Sequence, residues 1–268
     1  MTRQLPFHYP APPVRLQRPS MLAFIAYVFF IAFFIVSISG SGLSLTGFIS
    51  GLPNMARLLG EMFPPSVQRL DRVLLSLLQT FQMALVGTVL GVVFSLPLAV
   101  FAAQSLTPHP VAYYTSRAAI ALFRTVPDLV WALFFVATVG LGPFAGTLAL
   151  MVDTMGFCGR FFAEAMEEVD YGPQEALAAL GATRLGRICC AVIPGAFPSL
   201  INSALFSLEK ATRSSVILGL VGAGGIGIEL KVSMDMFEYS EAATIILSIF
   251  ILVLLVERFS SALRRGII

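Results

Sequence analysis

Charge is scarce in this chain. Only 12% of its 268 residues are charged, about half the ~25% of an ordinary soluble domain. The two signs nearly cancel, 17 Lys+Arg against 15 Asp+Glu, so no basic excess points to nucleic acid. Cysteine is scarce too. Cys158 stands alone and Cys189 and Cys190 are adjacent; adjacent cysteines rarely pair, and no CxxC or Cys/His spacing suggests a disulfide framework or a zinc site. The two histidines, His8 and His109, lie far apart in polar segments, where solvation explains them better than metal ligation. What remains is apolar: 57% hydrophobic residues, 23 of them Phe, and a mean hydropathy of +0.87. Such a chain has more apolar surface than one core can hide from water. It reads as an integral membrane protein.

Long apolar runs define the organisation. Residues 1–20 are Pro-rich, with Arg3, Arg15 and Arg18, and read as a cytoplasmic tail. Residues 21–39 are almost wholly apolar. At 1.5 Å per residue they reach roughly 28 Å, about one hydrocarbon thickness. Small residues at Ser37–Gly40 admit a cleaved signal peptide. The run is long for a signal core, however, and a retained span is expected. Residues 40–79 read as an external segment, Gly- and Pro-marked at first and amphipathic from Ser66. A core over 80–259 then holds spans at about 80–103 (with Pro97), 118–140 (with Pro127), 144–163, 196–220 and 242–259; residues 260–268 form a second tail. The fold class expected is an all-α integral membrane protein of six transmembrane helices. The runs are too long for barrel strands. With both termini in the cytoplasm, the cytoplasmic segments hold 10 Lys+Arg and the external ones 4, which the positive-inside rule favours.

Residues 170–194 form the most informative loop. Pro173 suits a first helical position and Glu175 the first turn, where a carboxylate offsets the helix dipole. Gly181 can take positive φ and end that helix, and Thr183 can cap a second one that stops near Pro194. The expectation is two short helices at a glycine hinge, with an apolar knob of Ala176, Leu177, Ala179 and Leu180. By itself this is an ordinary cytoplasmic hairpin. Its spacing is more specific: Glu175-Ala176-Leu177, three residues, Gly181, then Ile193-Pro194. This resembles the coupling motif of ABC importer permeases, Glu-Ala-Ala, three residues, Gly, nine residues, Ile-x-Leu-Pro. Leu177, Ala191 and Ile193 depart from the motif residues while the spacing holds. Arg124–Leu133, Val139–Gly146 and Leu218–Gly227 are similar to the corresponding segments of the phosphonate-type importer permeases, a group that includes phosphite and hypophosphite systems.

The resemblance covers about residues 50–268 and implies a type I ABC importer transmembrane domain in the bacterial cytoplasmic (inner) membrane. It implies four kinds of neighbour: a second permease subunit, identical or paralogous; two ABC ATPase subunits; an external solute-binding protein; and the lipid bilayer. It also implies coupling residues Glu175, Ala176, Leu177, Gly181 and Pro194, with ATP and Mg on the ATPase and no cofactor in this chain. The chain itself lacks a nucleotide motif, since Gly222–Gly227 is not followed by Lys-Ser/Thr and follows a membrane helix rather than a strand.

Several charges fall inside spans, at roughly 2.5–3.5 kcal/mol each on insertion scales, so each is expected to face the bundle or a wet cavity. Arg124 and Asp128 are four apart, as are Glu209 and Arg213, which puts each pair on one helical face if the helices are continuous. Either pair can be a plain interhelical lock. Lys210 leaves the fifth span one cation in surplus, suited to an oxyanion; Asp153 opposes it unless paired. Thr212, Ser214 and Ser215 offer hydroxyls. The run Gly219, Gly222, Gly224, Gly225 and Gly227 reads as a chain turn outside the membrane, or more sharply as a re-entrant turn whose N–H groups make a shallow anion nest. Three other readings stay open. One is a permease for another small solute. Another is a passive anion channel. The third is an intramembrane enzyme, for which no membrane histidine, HExxH motif or partnered nucleophile is present.

Overall fold

The computed structural model describes residues 20–267, so the tail expected over 1–20 lies, Ser20 apart, outside the described residues. Within them every regular element is helical. The chain divides into two compact units, one ending at Arg57 and one beginning at Leu58.

The first unit holds α1 (Met21–Gly40) and most of α2 (Leu45–Glu61). Ser20 caps α1, its hydroxyl accepting from Ala23 N at 3.3 Å. The second helix occupies the part of the expected external segment marked by glycines and Pro53. Phe48, Leu52, Met55 and Leu59 recur at helical spacing, and Ser44 Oγ accepts from Gly47 N at 3.0 Å to start the helix. Local capping and period outweigh the breakers.

The second unit is built on α3 (Leu70–Ala102) and α6 (Pro143–Glu167). The amphipathic piece and the second span are one 33-residue helix, about 50 Å long, and Pro97 lies inside it. α6 is the hub, with α3, α4, α5 and α9 all packed on it. Its 25 residues include the buried small side chains Ala145, Ala149, Gly156, Gly159 and Ala163. Small residues let helix backbones approach closely where lipid supplies no hydrophobic drive.

The third span is not one helix. α4 (Pro110–Thr125) and α5 (Asp128–Val139) meet at a 92° bend. Val126, at φ −79° and ψ 121°, is extended because the ring of Pro127 excludes the helical conformation from the residue before it. Among the described residues, four helices are long and apolar enough to cross a bilayer, or five if the bent pair is one span. The remaining expected span falls on α6, which carries Asp153, Arg160, Glu164 and Glu167 and reads as a core helix by composition.

After α7 (Tyr171–Ala179) the chain enters α8 (Arg184–Arg187), a π turn (Ile188–Val192) and α9 (Ile193–Leu220) without a stop. This corrects the break expected at Pro194. The wider π turn just before it accommodates a residue that has no N–H and a bulky ring. α10 (Ile226–Asp235) and α11 (Tyr239–Ile267) complete the unit, so the expected C-terminal tail is helical through Ile267. One core cluster gathers Phe162, Met166, Val192 and Leu106, and a second Met83, Leu150, Leu218 and Ala223. At the end of the unit near the α10–α11 turn, Arg69 bridges Glu238 at 3.2 Å and Glu241 at 3.1 Å.

Candidate functional site

The carboxylates buried in the bundle, Asp153 and Glu209, pair across helices, while the more exposed Arg160 and Glu164 pair along α6. Lys210 Nζ on α9 donates to both carboxylate oxygens of Asp153 on α6, at 2.7 and 2.9 Å. The ammonium also lies 5.6 Å from the centre of the Phe157 ring, within reach of a cation–π attraction. Next to Asp153 on α6 and one turn before Lys210 on α9, Ser207 Oγ donates to Thr154 Oγ1 at 3.2 Å. Glu209 is bound by Arg264 of α11, not by Arg213. That corrects the i,i+4 expectation. Glu209 points into the unit and is buried, whereas Arg213 is exposed and has no ion-pair partner among the described residues. The Arg124–Asp128 pairing fails for a different reason: the bend at Val126–Pro127 puts the two on separate helices. Asp128 starts α5, its Oδ1 accepting from Leu129 N at 2.9 Å. Arg124 lines a cleft of about 210 Å³ with Arg117 and Arg160. The latter two pair with Glu167 at 3.2 Å and Glu164 at 2.8 Å.

The Glu209–Arg264 pair is nearly enclosed, with side-chain exposures of 9% and 24%. Arg264→Ala therefore strands a buried carboxylate, at a cost of about 3–5 kcal/mol, and adding Glu209→Gln recovers part of it. Thermal unfolding of the detergent-extracted subunit measures both; an unchanged midpoint in the single variant disproves the lock.

The hydroxyls proposed for an oxyanion are committed elsewhere. Thr212 Oγ1 donates to Leu208 O and Ser215 Oγ to Thr212 O, each at 2.8 Å inside α9, and Ser214 is buried. The glycine run is also occupied. Gly225 N donates to Gln79 Oε1 at 3.1 Å and Ile226 N to Thr80 Oγ1 at 2.7 Å, while Gly222 N and Ala223 N donate to Gly219 O and Leu218 O. These four amides are therefore spoken for, and Ala223 is wholly buried. The run is a packed turn: Gly224, at φ +88°, has room for no side chain against Pro143 N at 2.8 Å, and a Cβ on Gly227 would lie 2.1 Å from Val216 O.

Of the 170–194 hairpin, α7 and the turn into α8 are largely exposed, whereas Ile188, Ala191 and Val192 pack into the core. Asp170 caps α7, accepting from Gly172 N at 3.2 Å, so Pro173 is its third residue and Glu175 lies past the first turn. Gly181 takes φ +78°, Ala182 N donates to Leu177 O at 3.0 Å, and Thr183 Oγ1 accepts from Gly186 N at 3.2 Å to start α8. Glu175 and Ala176 are exposed and Leu177 half-buried; Tyr171, Leu180 and Leu185 are 56%, 83% and 70% exposed.

These features describe a polytopic helical membrane protein whose interior carboxylates, Asp153 and Glu209, are paired across helices. Comparison with known proteins narrows the class. Residues 95–268 match the family of binding-protein-dependent transport system inner membrane components. The phosphite transport system permease protein of Stutzerimonas stutzeri is 41% identical over 223 residues, 83% of this chain and 81% of that one. The phosphate-import permease protein of Mycolicibacterium smegmatis is 38% identical over 78% of this chain and 39% of its own length. Among solved structures, the MetNI methionine ABC transporter in an inward-facing form matches at TM-score 0.65 and 25% identity, over 76% of this chain and 99% of that one. The chain belongs to the binding-protein-dependent transport family of inner membrane components. Its fold is that of a type I ABC importer transmembrane subunit, and it is a multi-pass inner-membrane protein.

Proposed function

We propose that this chain is the permease subunit through which an ABC importer moves a phosphorus oxyanion (phosphonate, phosphite or hypophosphite) into the cytoplasm. The observation that carries the reading is the 41% identity, over four fifths of both chains, to a permease named for phosphite transport. In the working assembly two permease subunits, identical or paralogous, enclose the path, with six crossings each and both termini cytoplasmic. An external binding protein delivers the solute. Two ATPase subunits bind ATP and Mg and drive transport by docking on the 170–194 hairpin, where Glu175, Ala176, Leu177, Gly181 and Pro194 form the coupling element. The exposed Leu180 and Leu185 support that assignment, since apolar side chains of this size standing clear of a protein mark a contact surface. This chain performs no chemistry of its own.

The test is reconstitution in vesicles with a cognate ATPase and binding protein. ATP-dependent accumulation of labelled phosphite or methylphosphonate is expected, and none without either partner. Uptake of methionine but of no phosphorus oxyanion rejects the substrate; ATP-independent flux rejects the importer in favour of a channel.

A further inference from the structure

One stripe of α9 runs Phe206, Lys210, Arg213, Ile217 and Leu220, at helical spacings of three and four; all are exposed but Lys210, which is half-buried. Phe206, Ile217 and Leu220 are 43%, 52% and 37% exposed, and Lys210 retains 36% of its side-chain surface. Two cations thus sit on one open face within a 28-residue helix. Lipid cannot be the neighbour of that face, because cations in hydrocarbon are costly and are kept for wet cavities and bundle interiors. The two are not equivalent. Lys210 is neutralised by both oxygens of Asp153, which is itself more deeply buried than the ammonium. Glu209, the carboxylate one turn before Arg213, is turned inward to Arg264. The surplus charge of α9 therefore resides on Arg213.

We propose that Arg213 is the contact for the oxyanion in the path, and that Lys210 is a second cation held in reserve by Asp153. This rests on the reading of the chain as an oxyanion permease and assigns the residues that make it selective. A guanidinium presents planar paired donors to a phosphoryl group. A lone, partly hydrated one binds its anion loosely enough to release it. Asp153 meets the Lys210 ammonium with two oxygens, as a phosphorus oxyanion would. It serves as an internal substitute that keeps Lys210 from adding a second strong contact and trapping the cargo. Lys210 and Arg213, three apart, have Cβ atoms about 5–6 Å apart on the shared face, close enough for one tetrahedral anion to address both once Lys210 is free.

The proposal predicts effects of opposite sign in one experiment. In the reconstituted importer, Arg213→Gln lowers the maximal rate of phosphite uptake by about tenfold or more, the scale of one lost charge-assisted hydrogen bond. Binding-protein affinity is unchanged and Arg213→Lys keeps most of the rate. Adding Asp153→Asn to Arg213→Gln restores uptake, because Lys210 is released to replace the missing cation. A purely structural role predicts the reverse, since the second change removes another ion pair. Where Arg213→Gln fails to assemble, a variant that keeps Arg213 decides the case. With Cys158, Cys189 and Cys190 replaced, Ile217→Cys should react with a small water-soluble thiol reagent and be protected by phosphite under turnover. Failure of Ile217→Cys to label in any transport state overturns the proposal. So does a double variant no faster than Arg213→Gln, or normal uptake by Arg213→Gln itself. Absence of phosphorus-oxyanion uptake by the unaltered protein instead overturns the functional reading beneath it.

Discussion

Gly91→Val is expected to leave little folded subunit in the membrane. α3 and α6 approach closely at Gly87 and Gly91, one turn apart on α3. A Cβ at Gly91 would lie 2.4 Å from Thr154 Cβ, 2.6 Å from Thr154 Cγ2 and 2.8 Å from Met151 O. One at Gly87 would lie 2.8 Å from Leu150 Cβ and 3.0 Å from Thr147 O. These obstacles are backbone and the stem of a buried, hydrogen-bonded threonine, not the free end of a flexible chain, so the helices themselves must separate. Overpacking of this kind costs about 1–3 kcal/mol for modest insertions, and here it strikes the hub on which four other helices pack. Separation of α6 from α3 also displaces Asp153, next to Thr154, from Lys210. Membrane abundance and monodispersity after mild extraction should both collapse for Gly91→Val and fall partway for Gly91→Ala. Gly60→Val, on the exposed α2 with nothing within 4 Å, is the control expected to change neither. A Gly91→Val subunit with the abundance and unfolding midpoint of the parent disproves the close approach.

That contact has a local signature in the sequence. Gly87-Thr88-Val89-Leu90-Gly91 is a small-xxx-small pattern in an apolar helix, the plainest local sign of tight helix packing in a membrane. Apolar runs reveal α1, α3, α9 and α11 well because a bilayer demands long unbroken hydrophobic stretches. They reveal α6 less well: a helix surrounded by protein needs no apolar face toward lipid. α2 is hidden because its glycines and Pro53 mask a helical period that Ser44 is sufficient to start. Pro127 marks the 92° bend only when the restriction it places on Val126 is considered. Charge spacing was the poorest guide. The i,i+4 rule applies to exposed faces of isolated helices. In a bundle the lower energy goes to cross-helix pairs, so Glu209 turns to Arg264 and Asp153 to Lys210. The glycine run shows the same effect: the Gly225 and Ile226 amides are satisfied by Gln79 and Thr80, residues some 146 positions away in sequence. The hairpin turn was legible at Gly181 and Thr183, where turn chemistry is local, and its continuation through Pro194 was not, because the π turn depends on the tertiary setting of α9.

Gly181→Val and Leu180→Asp should each yield a folded subunit that no longer transports. Gly181 holds φ +78° with nothing within 4 Å of an added side chain. The change therefore acts through backbone conformation alone, at about 1–2 kcal/mol for an L-residue in the left-handed region. The largely exposed α7 can relieve that strain by reorienting against α8. Leu180 is 83% exposed, and its replacement alters stability of the isolated subunit by about 0.5 kcal/mol or less. Burial of the same leucine in a partner's cleft is another matter: a full side chain of this size is worth about 1.5–3 kcal/mol, so a carboxylate there removes about ten- to a hundred-fold in docking equilibrium. Glu175→Lys, on the exposed face of α7, is expected to act in the same direction by reversing a charge at that contact. Extraction, unfolding midpoint and permease pairing should match the parent for all three variants. Co-purification of the ATPase should be lost, and ATP-driven uptake should fall by at least about tenfold, following the docking equilibrium. Parent-level uptake by both Gly181→Val and Leu180→Asp means the hairpin transmits no force. Loss of the unfolding midpoint as well means that it supports the fold of α9 instead of coupling to a motor.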